Sequence, residues 1–193
     1  ANKIFGHNSC PFKILSSPKH TRLSKNFLPP STQIFALKFT NKFSSDGLKF
    51  LEDHRLHLIN VDLPQIGGHM PLTSAASDGI AYFRLMGRNA GQWFKGDKEG
   101  RYQYLYSPDE LKDLVDHMRG AASGATKAFA VFHNDPQANS LYNGFQVRHL
   151  VDPNKKPKAP ETLVKTFPQL KEITEPVSAE KPLTIRKQKS IFD

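Results

Sequence analysis

The sequence predicts an α/β fold built on a parallel sheet. Segments typical of strands and of helices alternate along residues 33–150, and that alternation implies parallel strands joined by right-handed crossovers. The most informative unit is residues 80–135, which has the pattern strand, polar aromatic loop, capped helix, strand. Because about five strand candidates are present in all, we expect a sheet of that size with helices between its strands.

Short segments rich in aliphatic, aromatic or β-branched residues are predicted to be strands: residues 3–7, 33–39, 56–61, 80–86 and 127–132. Prolines after the first strand predict that residues 8–31 are mostly loop, with one helix near residues 19–27. The third strand leads directly to Asp62, and Pro64 stops it.

The first clear helix start lies before the third strand. Ser44 or Ser45 can cap a helix that continues to about His54. After the fourth strand, residues 87–106 form a long polar connection that contains several aromatic side chains. Connections of this length in compact domains are often lids or binding loops, so we expect this one to be functional.

The strongest helix start is the sequence Ser-Pro-Asp-Glu at residues 107–110. It combines a capping serine, a proline at the first helical position and a glutamate at the third. The helix is predicted to end at Gly120. A last helix is predicted over residues 136–150, with Leu141 and Phe145 directed inward.

The character of the sequence changes after residue 150. Residues 1–150 are predicted to be one domain, whereas residues 151–193 are rich in proline and lysine and predict a flexible basic tail. Near its end, Gln188, Ile191 and Phe192 fit the pattern Gln-x-x-aliphatic-aromatic. This pattern resembles the peptide by which DNA-maintenance proteins dock on the sliding clamp. The alternative is that the apolar pair packs back on the domain.

The chain is basic, with a formal net charge of +9. Most of the excess lies in residues 1–150, and no acidic residue precedes Asp46. Basic surfaces favour nucleic acid or anionic membranes as partners. The alternative is a solvated, mildly basic surface without such a partner.

The cysteine and hydropathy content favours a cytoplasmic protein. Cys10 is the one cysteine, so an intramolecular disulfide is excluded and a reducing compartment fits. No apolar run approaches the ~20 residues that span a bilayer, and we expect no membrane partner. The basic, acid-free N-terminal segment has features of an organelle transit peptide, which leaves an organelle as the alternative.

Two arginines near the end of the fourth strand are candidates for anion binding. Arg84 shares a pleat face with Tyr82 and Met86, and Arg88 and Asn89 follow the strand. Arginines at a strand end can clamp a phosphate or a carboxylate through paired N–H donors. The alternative is a structural ion pair with a carboxylate from a neighbouring strand, either Asp62 or Asp135.

Polar residues also follow the neighbouring strands. Asp62 can serve as a general base, a metal ligand or an arginine partner, and the last role is the one that we favour. His133 can act as an acid, a base or a ligand near neutral pH, and Asn134 follows it. A single histidine beside Asp135 does not have metal-ligand spacing, so no metal site is predicted. The alternative is that residues 134–136 simply form a turn.

The long connection combines aromatic and basic side chains, of which Trp93 and Tyr104 are the main binding candidates. The others are Tyr102, Tyr106, Lys95, Lys98 and Arg101. Aromatic rings interleaved with cations suit stacking on bases or sugars. The alternative, which we favour, is that the loop packs onto the domain.

A set of motifs runs through residues 58–148: VDLPQ at 61–65, AYFRLMGRN at 81–89, Trp93, RYQYLYS at 101–107, FHND at 132–135 and Asn143. In this order and spacing they resemble the YecE-like family, domain of unknown function 72. The resemblance implies a TIM-type barrel and no settled activity. A full barrel takes ~250 residues, so the resemblance implies a TIM-barrel-like fold that is incomplete here.

The chain departs from the family pattern at three places. The resemblance implies a histidine where the chain has Met86, an asparagine where it has His133, and a Glu-Phe-Arg run at Lys38-Phe39-Thr40. Lys38 therefore inverts a charge at a strand end.

Two hypotheses follow. In the first, a pocket at the carboxyl ends of the strands binds an anion or a nucleotide-like ligand. Arg84, Arg88 and Asn89 would hold the anion, Asn134 would orient it and Asp62 would fix the arginines. The tail would tether the protein to a DNA-bound partner.

In the second hypothesis the chain is a non-catalytic scaffold or a subunit of a larger assembly, in which a partner or a second copy covers open sheet edges. A fragment of a longer enzyme is a weaker third possibility. The short signatures of phosphate-loop, dinucleotide-binding, zinc-protease and nucleophile-elbow enzymes are absent. Reaction, substrate and cofactor are therefore left open.

Overall fold

The computed structural model describes residues 12–16, 34–35, 45–54, 56–95 and 97–178. The strand predicted over residues 3–7 and the helix predicted near residues 19–27 lie outside the described residues, as do Lys38, Thr40 and the clamp-like peptide with Gln188, Ile191 and Phe192.

The described strands are β1 (Phe12–Ser16), β2 (Ile34–Phe35), β3 (His57–Leu58), β4 (Asn60–Asp62), β5 (Ile80–Leu85), β6 (Lys127–Phe132), β7 (Lys158–Pro160) and β8 (Glu175–Val177). The described helices are α1 (Ser45–Asp53), α2 (Ala90–Trp93), α3 (Lys98–Tyr102), α4 (Pro108–Ala122), α5 (Asn139–Val151), α6 (Glu161–Thr166) and α7 (Leu170–Ile173).

The main sheet has four parallel strands in the order β1-β6-β5-β4. A second parallel pair joins β2 to β3, and only Ile59 separates β3 from β4, so one extended segment pairs first with β2 and then with β5. These contacts confirm the predicted α/β fold with parallel strands and helices. The described strands do not close into a barrel.

Strand β1 was not predicted, because its five residues follow a proline in a segment that reads as loop. It forms by pairing along its whole length with β6, from Phe12 beside Ala128 to Ser16 beside Phe132. More than 100 residues of sequence separate the partners. A pattern search along the chain does not detect such a long-range partner.

One core cluster lies between the main sheet and the helices that follow its strands. Phe83, Leu85 and Phe132 of the sheet are fully buried against α4, which contributes Leu111, Leu114, Val115 and Met118. Burying a side chain of this size stabilises the fold by about 1.5–3 kcal/mol. The packing fixes α4 on one face of the sheet, which decides where the loops at the strand ends can lie.

The start of α4 confirms the predicted capping box, since Ser107 Oγ accepts the Glu110 N–H and Glu110 accepts the Ser107 N–H. The helix continues two residues beyond the predicted end at Gly120. By contrast, α5 begins at Asn139 rather than at residue 136, because Gln137 and Ala138 have positive φ. Leu141, which was predicted to point inward, is 39% exposed.

The prediction of a flexible tail from residue 151 is wrong for the described part of that segment. Residues 158–177 contain β7, α6, α7 and β8, and the two strands pair in parallel. A second core cluster joins this unit to α5 through Ala159, Leu163, Val164, Leu170 and Tyr142. Because proline and lysine are frequent in this segment, its composition does not reveal the few apolar residues that pack against α5. Within the described residues, no helix is both long and apolar enough to cross a bilayer.

Candidate functional site

The two faces of the main sheet have different surroundings. Along β5, Ala81, Phe83 and Leu85 are fully buried under the helices, and the alternate residues are only partly buried. Arg84 is one of these, and it lies between Val61 of β4 and Val131 of β6. Because side chains alternate along a strand, Arg84 projects from the face opposite α4. We call this face, with Tyr82, Arg84 and His133, the inner face.

The opposite face of the sheet, which α4 covers, is the helix side. There an ion pair joins Asp62, at the end of β4, to Arg88, which follows the turn after β5. Arg88 Nε lies 3.0 and 3.1 Å from the two carboxylate oxygens of Asp62, and Arg88 Nη2 lies 2.8 Å from Oδ1. The Asp62 side chain is 3% exposed and that of Arg88 is 27% exposed. The Tyr106 hydroxyl donates to Asp62 Oδ2 at 2.7 Å and accepts the Gly87 N–H at 2.8 Å. Every oxygen of Asp62 therefore has a donor.

Further carboxylates surround the same guanidinium. Glu110 Oε1 lies 3.4 Å from Arg88 Nη1, and Asp113 Oδ2 lies 3.7 Å from Nη2. Tyr104 donates its hydroxyl proton to Glu110 Oε1 at 2.6 Å. With Asp62, Arg88 thus faces three carboxylates, so this cluster carries excess negative charge. It is a poor place for a further anion.

The pKa values in this cluster follow from its contacts. Burial alone would lower the pKa of Arg88, but the hydrogen bonds and the charge of Asp62 raise it above its ordinary value. Burial would raise the pKa of Glu110, and donors from Tyr104 and Ser107 lower it instead. Burial and the bond to Glu110 raise the pKa of Tyr104 to about 12. All these groups keep their ordinary charge at neutral pH, as expected for a structural network.

Asn134 belongs to the helix side as well. Its Nδ2 donates to the Tyr104 carbonyl at 2.9 Å and to Asn143 Oδ1 at 2.8 Å. Asn143 in turn accepts the Tyr106 N–H at 3.2 Å and donates to the Tyr106 carbonyl at 3.3 Å. Asn134 and Asn143 are fully buried. These amides attach the segment around Tyr104 and Tyr106 to α5.

The connection between β5 and α4 folds over itself. Asn89 Nδ2 donates to the carbonyls of Gly100 and Gln103 at 3.0 and 3.1 Å. Trp93 meets the rings of His69 and Tyr102 edge-on, with centroids 5.8 and 6.1 Å apart. The guanidinium carbon of Arg101 lies 5.9 Å from the Trp93 ring centroid. The segment predicted as a continuous loop therefore contains α2 and α3 and has packing of its own.

The inner face has a different electrostatic character. Among the described residues, Arg84 makes no hydrogen bond or ion pair, and its Nε is buried without a partner. His133 follows β6, where its N–H donates to the Leu85 carbonyl at 2.7 Å. Burial first, and then the charge of Arg84, lower the pKa of His133 to about 4, while Asp135 acts in the opposite direction. Arg84 is thus a cation beside a neutral imidazole.

The predicted site residues do not meet in one pocket. Arg84 and His133 lie on the inner face, whereas Asp62, Arg88, Asn134 and Tyr104 lie on the helix side, and Asn89 and Trp93 lie in the connection. The prediction of a shared pocket for Arg84, Arg88 and Asn134 is therefore wrong. The reason is Gly87, whose φ of +84° turns the chain after the strand.

Residues outside the predicted anion-binding set complete the helix-side network. The sequence predicted a capping role for Glu110, and either stacking on a ligand or packing of the connection for Tyr106, whereas Asn143 was only part of a motif. Each makes a long-range contact in the structure: Glu110 with Arg88, Tyr106 with Asp62, and Asn143 with the Tyr106 backbone. Tyr106 and Asn143 lie within the resemblance motifs, which is a signal for these two residues but not for Glu110.

Comparisons with known proteins agree on a family. Residues 36–166 match the family model described as protein of unknown function DUF72. The UPF0759 protein YunF of Bacillus subtilis (strain 168) is 31% identical over 131 residues, which cover 61% of this chain and 46% of that protein.

Solved structures give the same result. The crystal structure of a DUF72 family protein from Thermotoga maritima MSB8 has 25% identity and a TM-score of 0.60, and the match covers 73% of this chain and 57% of that one. A DUF72 family protein from Enterococcus faecalis V583 has 23% identity and a TM-score of 0.55, over 62% and 46% of the two chains. The chain spans about half the length of the relatives that it matches.

Proposed function

This chain belongs to the DUF72 family, and from that premise we propose that it binds an anion such as a phosphate group on the inner face, with Arg84 as the main contact. The proposal concerns binding and assigns no reaction. It keeps the predicted class of ligand and changes the residues that hold it.

The lack of a hydrogen-bond or ion-pair partner for Arg84 among the described residues supports the proposal. The guanidinium has no carboxylate partner among the described residues, and its buried Nε has no acceptor. A buried N–H without an acceptor costs about 1–3 kcal/mol, and an oxyanion would satisfy it. Arg88 offers the contrast, because its donors already point at carboxylates. An incoming anion is therefore attracted to Arg84 and repelled near Arg88.

The surroundings of Arg84 suit an oxyanion. Val61 and Val131 lie on either side of it in the sheet and bring no charge. Tyr82, two residues earlier on the same face, has a pKa raised by burial, so its hydroxyl stays protonated at neutral pH. A hydroxyl donor and a forked guanidinium donor are a common combination for a phosphate or a carboxylate.

Substituting Arg84 tests the proposal. We expect Arg84→Gln to weaken binding of inorganic sulfate, a probe for a tetrahedral anion, by about 10- to 100-fold, because a charge-assisted hydrogen bond contributes about 1.5–3 kcal/mol. Isothermal titration calorimetry measures the affinity. The matched control is Arg119→Gln, which removes an exposed arginine paired with Asp116. Equal sulfate affinity in the wild type and Arg84→Gln would contradict the proposal.

A link to DNA maintenance is a separate part of the proposal and depends on the segment outside the described residues. Gln188, Ile191 and Phe192 supply an amide and two apolar anchors, and basic residues precede them. Such a peptide suits a preformed groove on a sliding clamp. A phosphate-binding face and a clamp-binding segment would both bring the chain to nucleic acid.

The expected result is that a peptide of residues 181–193 binds a sliding clamp and that Phe192→Ala removes the signal. Truncating a buried aromatic anchor typically costs 2 kcal/mol or more, or about 30-fold in affinity. Fluorescence anisotropy of the labelled peptides measures both. The same affinity for the two peptides would exclude the clamp as partner.

A scaffold role is the second candidate, and one observation favours it. Among the described strands, β1 pairs only with β6 and the sheet does not close. An open edge of a parallel sheet favours a partner or a second copy of the chain. A scaffold would not require an anion at Arg84, so the sulfate titration separates the two candidates.

A further inference from the structure

We propose that anion binding at Arg84 is coupled to the uptake of a proton by His133. The inference rests on the proposed function and adds a regulation of the same site by pH. Three features of the inner face support it: the placement of the two side chains, the charges around His133 and the absence of a carboxylate on Arg84 among the described residues.

The pairing of β5 with β6 places the two side chains on one face. Arg84 is in register with Val131, and His133 follows two residues later, where its N–H bonds to the Leu85 carbonyl. Neighbouring strands lie about 4.8 Å apart and rise about 3.3 Å per residue, so the two backbone positions are about 8 Å apart. An arginine side chain spans that distance. Phe132 and Asn134, on either side of His133, contact the helix side instead.

Within the part of the chain that the structure describes, the charges that act on His133 come from two elements. Arg84 of β5 disfavours the imidazolium, and Asp135, in the segment that follows β6, favours it. Tyr82, also of β5, is neutral. Asp135 is partly engaged, since its Oδ1 accepts the Ser140 hydroxyl at 2.8 Å. Burial is the largest cause of the low pKa of His133, and the field of Arg84 adds to it until an anion neutralises that field.

A bound oxyanion changes this balance in two ways. It cancels the positive field of Arg84, and its oxygens can accept a hydrogen bond from a protonated imidazole. Both effects raise the pKa of His133 in the complex. By linkage, the proton then favours the anion as much as the anion favours the proton.

The direction of the pH dependence follows from the two states. Without the anion, the pKa of His133 is about 4, so the ring stays neutral until the pH falls to about that value. If the bound state restores a value near the ordinary ~6.5, affinity is constant well above that pH and rises as the pH falls below it. Between about pH 7.5 and about pH 5.5, the expected gain in affinity is about tenfold.

Sulfate is the suitable probe, because its own charge does not change in this range. Calorimetric titrations at both pH values, each in two buffers with different protonation enthalpies, give the affinity and the number of protons taken up. We expect the uptake of most of one proton per bound sulfate near pH 5.5 and of about a tenth of a proton near pH 7.5. The His133→Asn variant should show no uptake and equal affinity at both pH values. The control is His117→Asn. His117 lies on α4 and its ring is hydrogen-bonded to Ser74, so this variant should behave as the wild type.

The outcomes separate the two proposals. If sulfate fails to bind the wild type at either pH, anion binding itself is wrong. If sulfate binds and depends on Arg84, but without proton uptake, only the coupling is wrong. Uptake that persists in His133→Asn would also overturn the coupling, because another group would then hold the proton.

Discussion

Replacing Arg88 with methionine is expected to lower the free energy of unfolding by about 3–5 kcal/mol, the cost typical of breaking a buried ion pair from one side. The substitution leaves the carboxylate of Asp62, whose side chain is 3% exposed, with the Tyr106 hydroxyl as the remaining donor from the described residues. It also leaves Glu110 without its arginine. Because the Arg88 side chain is 27% exposed, water can enter and the lower part of the range applies.

Urea denaturation followed by circular dichroism measures the change. The control is Arg119→Met, which removes an arginine that is 46% exposed and paired with an exposed carboxylate, Asp116. Exposed pairs contribute about 0–1 kcal/mol, so this variant should remain close to the wild type. Similar losses in the two variants would show that the Asp62 pair is not a buried structural contact.

The same variant separates structure from binding. Folded Arg88→Met should still bind sulfate through Arg84, because the two guanidinium groups lie on opposite faces of the sheet. The first hypothesis from the sequence predicts a different outcome, in which both arginines hold one anion. The structure assigns Arg88 to stability, since its Nε and Nη2 donate to Asp62.

The second large effect is expected from Gly87→Ala, at about 2–5 kcal/mol of lost stability. Gly87 has φ of +84°, a conformation that an alanine adopts at a cost. A Cβ at this position would lie 2.6 Å from Tyr104 Cβ and 3.6 Å from Asn134 Cβ. Tyr104 cannot move away easily, because its carbonyl accepts the Asn134 amide and its hydroxyl holds Glu110.

Thermal and urea unfolding of Gly87→Ala measure this cost. Gly91→Ala is the matched control, because Gly91 is exposed and an added Cβ would be 4.0 Å from Asn89 Oδ1. That change should be neutral or stabilise by up to about 1 kcal/mol. A Gly87→Ala variant as stable as this control would mean that the turn after β5 is not constrained as described.

Much of the fold can be read from local pattern. The strands β5 and β6, the capped start of α4 and the parallel α/β class follow from alternation, from capping chemistry and from the order of elements. The family resemblance follows from motifs within the same stretch, and the comparison with known families confirms it. These features depend on residues that are near one another in the sequence.

Other features depend on partners that are distant in the sequence. Strand β1 forms by pairing with β6. Residues 158–177 fold because a few of their apolar side chains pack against Tyr142 on α5. The break at Ile59 arises because one segment pairs with two different strands. A short or proline-rich segment does not carry enough local preference to reveal such contacts.

Local patterns were enough to predict which polar residues lie at the ends of the parallel strands, because strand ends and turns have a local signature. The face that each residue occupies depends on long-range packing, which those patterns do not contain. Arg84 and Arg88 are four residues apart and would share a face on an uninterrupted strand. The positive φ of Gly87 and the carboxylate of Asp62 place Arg88 on the helix side, whereas Arg84 lies on the inner face without a partner among the residues that the structure describes.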